Sequence, residues 1–85
     1  MSYHKFSFKN DIETFLNENY NYNILYTVDT PTKKDKLIEI FGKDGFVNSV
    51  SNGWLYDPEA RFTFYGDYVY FNSEDDLIEF KLRFL

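Results

Sequence analysis

Between Phe62 and Phe71 the chain alternates two kinds of ring about a central Gly66-Asp67 pair. Side chains along a strand point to opposite faces in turn. A Gly-Asp pair between two such runs is a two-residue hairpin loop. With Gly66-Asp67 as the loop, Tyr65 pairs with Tyr68, Phe64 with Val69, Thr63 with Tyr70 and Phe62 with Phe71. One face then carries Phe62, Phe64, Val69 and Phe71 and belongs in a core. The other carries Thr63, Tyr65, Tyr68 and Tyr70. A slip of one residue would exchange the two sets.

A hairpin of this kind needs something to cover its apolar face, and the rest of the chain supplies it. Tyr3 to Phe8 reads as a strand, with His4, Phe6 and Phe8 alternating with Lys5 and Ser7. Asn10 followed by Glu13 reads as a helix cap, and Ile12, Phe15, Leu16 and Tyr20 follow at helical spacing. A helix near 11–19 is expected, closed by the Asn-rich run at 19–23. Ile24 to Val28 reads as a strand with Ile24, Tyr26 and Val28 on one face. Thr30-Pro31 opens a second helix with Thr as cap, whose buried stripe is Leu37, Ile38 and Phe41 and whose end is Gly42 or Gly45. Phe46 to Val50 and Trp54 to Tyr56 read as strands about an Asn52-Gly53 turn. Ser73 caps a last helix with Glu74, Asp75 and Asp76 in its first turn and Lys81 and Arg83 in its last, as the helix dipole favours. The alternation of Phe80, Leu82 and Phe84 also fits a strand; the cap at Ser73 decides for helix.

The expectation is therefore one α+β domain over 1–85: a mainly antiparallel sheet of four to six strands, with two or three helices packed on one face. At 85 residues such a chain buries about 60–65% of its unfolded surface and has room for one core. Six strands crowd that length, so one or two short ones are expected to be loops.

Composition removes several chemistries. The chain has no Cys and one His, His4, which excludes a disulfide framework, a thiolate zinc site, a Cys nucleophile and a His-rich metal site. Ser2, Ser7, Ser49, Ser51 and Ser73 lack a Gly-x-Ser-x-Gly turn, and a Ser-His site would need His4 to have its own orienting partner. Glu74, Asp75, Asp76 and Glu79 cluster as metal-binding carboxylates do, but first-turn acids suit the helix dipole without a cation. The four glycines stand singly and form no phosphate cradle. Lys33-Lys34-Asp35-Lys36 reads as a solvated helix face. No enzyme, cofactor or metal is expected.

The net charge is −5. Residues 1–43 balance, and the excess of acid falls in residues 44–85. That argues against binding a phosphate backbone, which needs a basic footprint. It favours a basic partner surface, although acids also simply keep a small domain dissolved. No apolar run reaches the roughly 18 residues of a membrane span, and no apolar stretch follows the first residues as a secretory signal requires. A cytoplasmic location is expected.

The tyrosine face is the surface these residues single out. Tyrosine is amphipathic, has few rotamers to freeze and is enriched at binding hot spots. The expected partner-binding set is Tyr65, Asp67, Tyr68 and Tyr70, extended by Trp54 and Tyr56 of the neighbouring hairpin and by Asp57 and Glu59 at an acidic rim. Two other readings stand beside it: a helix covers this face, or the rings only stabilise an exposed sheet through cross-strand pairs.

The stretch from Tyr68 to Phe84 runs an aromatic strand into an acidic helix start and a Phe-Lys-Leu-Arg-Phe ending. It resembles the C-terminal end of small accessory proteins of large tailed phages, over about a fifth of the chain. The resemblance implies a host-takeover or anti-defence setting and carries no site residue with it. The function expected is an acidic, non-enzymatic protein that binds and inhibits a host protein. That host protein would have a basic surface, as nucleic-acid-binding and defence proteins do; direct binding of nucleic acid or membrane is not expected. The alternative is an oligomeric protein, a homodimer for example, that sequesters a small molecule or nucleotide between subunits.

Overall fold

The hairpin forms in the expected register. Strands β5 (Phe62–Tyr65) and β6 (Tyr68–Phe71) pair antiparallel, with Phe62 opposite Phe71, Thr63 opposite Tyr70, Phe64 opposite Val69 and Tyr65 opposite Tyr68. This is a computed structural model describing residues 4–6, 9–42, 49–50, 53–56 and 60–85, with side chains at 10–42 and 60–85. Gly66 has φ of 62°, while no non-glycine residue among those described has positive φ. Positive φ at the first loop position alone is the pattern of a type II′ turn.

The remaining elements are β1 (His4–Phe6), α1 (Lys9–Asn19), β2 (Tyr22–Leu25), α2 (Thr30–Phe41), β3 (Ser49–Val50), β4 (Gly53–Tyr56) and α3 (Glu74–Phe84). Among the described residues the chain is α+β with three helices, but the expected single sheet of four to six strands does not form. The strands divide into two three-stranded antiparallel sheets, ordered β1-β4-β3 and β2-β6-β5. Alternation marks each strand but not its neighbour. Strand β6 takes β5 on one side and β2 on the other, with Ile24 opposite Val69 and Leu25 opposite Tyr68. This leaves β2 and β5 as the outer strands of that sheet, and β4 pairs instead with β1 and β3.

The helices do not share one face either. Leu37 of α2 and Phe80 of α3 pack with Phe62, Val69 and Phe71, joined by Ile24, Phe41 and Phe64. Ile12 and Leu16 of α1, with Tyr20, pack with Ala60 and Tyr70 on the opposite side. The hairpin sheet is thus the middle of three layers, because its second face also carries enough ring surface to bury.

Local chemistry explains the helix ends. Ser73 accepts a hydrogen bond from the Asp76 N–H at 3.3 Å and caps α3 as expected. Asn10 lies inside α1, so it is not the cap. Asp29, in extended conformation, precedes α2 as its cap and makes no side-chain cap bond; Thr30 is already helical. Gly42 closes α2 at φ of 78° and donates its N–H to the Ile38 carbonyl at 2.8 Å. Strand β2 ends at Leu25, three residues short of the expected Val28. Val50 pairs with Gly53, which makes Gly53 part of β4 and not of the turn.

Lys33, expected on a solvated helix face, and Asp76, expected in the first turn of α3, are both buried. Lys33 is 1% exposed, and its ammonium donates to the Gly66 carbonyl at 2.5 Å. Of the run Lys33-Lys34-Asp35-Lys36, Lys33 alone is buried, against the hairpin tip, and Asp35 is exposed. Asp76 takes both arms of Arg61, Nη2 to Oδ1 at 2.6 Å and Nε to Oδ2 at 3.2 Å, and the Arg61 guanidinium lies 4.9 Å from the centre of the Phe41 ring.

Candidate functional site

The hairpin turn and α1 enclose a cleft of about 340 Å³. The turn is held from two sides. The Lys33 ammonium takes the Gly66 carbonyl, and the Tyr26 N–H donates to the Asp67 carbonyl at 2.7 Å. With both carbonyls engaged, the main chain of the turn is anchored, and Asp67 stands exposed in the cleft lining. Tyr65, Tyr68 and Tyr70 line the interior, the rings of Tyr68 and Tyr70 lying 6.1 Å apart and tilted by 45°. Helix α1 contributes Glu13 and Asn17.

Four of the eight expected site residues therefore come together: Tyr65, Asp67, Tyr68 and Tyr70. They do not share one environment. Tyr68 is 42% exposed and Tyr70 only 8%. Tyr70 belongs to the core under α1, and Tyr65 packs half-buried against the same cluster. The expectation of three exposed rings is corrected on this point: α1 lies over part of the face, and Tyr68 is left as the accessible ring. Leu25, opposite Tyr68 on β2 and also exposed, extends the apolar surface. Trp54 and Tyr56 lie on β4, in the other sheet. Asp57 and Glu59 fall outside the described residues.

Glu13 and Asn17 were not singled out as site residues by sequence. Each follows a buried position of α1, Ile12 and Leu16, and they stand one turn apart, where the helix surface turns from core to solvent. That spacing marks them as boundary residues once it is known which sheet face α1 covers.

Burial is the main cause that pushes the Tyr70 phenol above the ordinary tyrosine value; the charge of Glu13 adds to it, and Tyr68 and Tyr65 contribute further. The neutral phenol is the form the fold favours. Below about pH 10, the ordinary value, both folded and unfolded chains keep the proton and the contribution is fully present. Above it the unfolded chain ionises first, and stability falls as pH rises through the raised folded value. Tyr70→Phe is expected to remove that part of the alkaline slope. Urea midpoints of both proteins from pH 8 to 11 check this, and curves that run parallel throughout would refute it.

Among the described residues, no three His, Asp or Glu side chains stand close enough to hold a metal ion, and no helix is long and apolar enough to cross a membrane. No protein-family model, no curated protein and no solved structure matches the chain.

Proposed function

We propose that the chain is a small acidic, non-enzymatic binding protein that docks on a basic surface of a host protein and blocks it. The observation that carries this reading is the cleft itself, where tyrosine rings meet the carboxylates of Glu13 and Asp67 in a chain of net charge −5. Charge of this sign speeds encounter with a basic partner and disfavours polyanions. Tyr68 and Leu25 supply exposed apolar surface beside the carboxylates, which is the mixture found at binding hot spots. The resemblance of residues 68–84 to phage accessory proteins supports a bacterial host protein, met in the host cytoplasm, as the partner.

The cleft volume also favours a second reading, sequestration of a small molecule, since such sites start at about 300 Å³. Its carboxylates disfavour a nucleotide phosphate.

The test is capture from a bacterial lysate on immobilised protein, comparing the native chain with Tyr68→Ala/Asp67→Asn. Both positions are exposed, so the fold should survive, and circular dichroism checks that it does. A basic protein held by the native chain is expected to be lost about tenfold or more from the variant, the scale of a hot-spot truncation. Equal retention by both, or no protein specific to the native chain, would overturn the reading.

A further inference from the structure

We infer that the outer face of α3 is a self-association surface, on which a second copy of this chain packs its own α3 antiparallel. The inference stands apart from the binding reading above. Helix α3 packs on the sheet face opposite the one that α1 covers, so this surface and the cleft belong to different layers.

Ile78, Leu82 and Leu85 are 44%, 79% and 64% exposed. They stand at i, i+4 and i+7 and so fall in one row along the helix. The Leu85 N–H donates to the Lys81 carbonyl at 2.9 Å, which keeps the last turn closed and Leu85 in that row. Leu77, Phe80 and Phe84 turn the other way, into the core against the sheet. A surface helix normally has one apolar face, and this one has two. Single exposed apolar side chains are ordinary, but a contiguous row of them marks a contact surface.

Charge identifies the occupant. Helix α3 carries Glu74, Asp75, Asp76 and Glu79 before Phe80, and Lys81 and Arg83 after it. An antiparallel copy sets acid against base and opposes the two helix dipoles. With the two-fold axis at the level of Lys81, Glu79 faces Arg83 of the second copy, and Ile78 enters the gap between that copy's Leu82 and Leu85. Within one chain Glu79 and Arg83 are half exposed and 3.8 Å apart, and an arginine has donors enough to meet a second carboxylate. Lys81, on the other flank of the row, is exposed, and its flexible stem carries the ammonium to water. A parallel copy would instead bring Glu74 beside Glu79. A lipid surface is disfavoured, because helices that lie on membranes carry Lys and Arg on the polar face, whereas this one has more acids than bases.

The experiment is sedimentation equilibrium of the full chain from micromolar to millimolar concentration. A contact of this size belongs to the weak class of interfaces, so a monomer–dimer equilibrium with a dissociation constant of roughly 0.1 mM is expected. Leu82→Glu should weaken the dimer about tenfold or more; the position is exposed, and circular dichroism checks that the fold is kept. Glu79→Arg and Arg83→Glu should each weaken it about threefold or more by setting like charges face to face, and the double variant should recover the native strength. That recovery separates pairing between copies from an effect on the helix dipole, which the double variant does not restore.

A chain that stays monomeric at millimolar concentration, or a dimer that Leu82→Glu leaves unchanged, overturns the inference. In the monomeric case, binding to phosphatidylcholine vesicles that Leu82→Glu abolishes reassigns the row to a membrane, and lysate capture that it abolishes reassigns the row to another protein. Charge variants that change nothing, or a double variant that recovers nothing, overturn the antiparallel arrangement.

Discussion

Phe80→Ala is expected to destabilise the protein by about 4 kcal/mol, within the 3–5 kcal/mol of buried Phe truncations. The ring is fully buried. It meets Tyr26 edge-on at 5.3 Å, Phe84 edge-on at 5.3 Å and Phe71 tilted at 5.7 Å. It is the point where α3, β6 and the segment after β2 converge. Truncation leaves a cavity that these rings can fill only by leaving their own contacts. A chain of this length has a total stability on the order of 4–13 kcal/mol, so the variant should be largely unfolded or have a much lower urea midpoint. Phe80→Leu, which fills most of the volume, should lose less than half as much. A Phe80→Ala loss below about 1.5 kcal/mol would show that the layer collapses around the gap and that the convergence is not rigid.

The second large effect is expected at Lys33. Lys33→Ala should cost about 3 kcal/mol, combining the lost burial of the stem with a Gly66 carbonyl deprived of its donor. Lys33→Met keeps the stem's bulk and removes a charge that is costly to bury, so its loss should be smaller, about 1–2 kcal/mol. Urea unfolding of both variants gives the ordering. Methionine as damaging as alanine would refute the share assigned to packing, and both variants near native stability would show that the contact with Gly66 contributes nothing.

The two cases differ in how visible they were in the sequence. The β5–β6 register follows from a turn pair and the eight alternating residues around it. The start of α3 follows from Ser73 and Asp76. Both are local chemistry. Phe80 was ambiguous, since its alternation with Leu82 and Phe84 fits a strand; in the helix Phe80 is buried and Leu82 is 79% exposed. What could not be read was assembly between distant segments. Nothing in Tyr22–Leu25 states that it pairs with β6, and nothing in α1 states which sheet face it covers. The division into two sheets and the burial of Tyr70 both depend on those choices. A lysine reads as solvated by default, so the inward course of Lys33 was hidden for the same reason. Of the site, Tyr65, Asp67, Tyr68 and Tyr70 could be gathered from the hairpin alone, whereas Glu13 and Asn17 required knowing where the helix lands.

The outer position of β2 has a consequence for handling the molecule in solution. Along Tyr22–Leu25 the described strands leave one row of main-chain groups unpaired, flanked by exposed Tyr22 and Leu25. Lysine and proline, the residues that usually guard such rims against templated fibril growth, do not occur in this strand. Mutual repulsion from the surplus of acids then becomes the main safeguard. Acidification or concentrated electrolyte, by neutralising or screening that surplus, should bring on turbidity well before the chain unfolds.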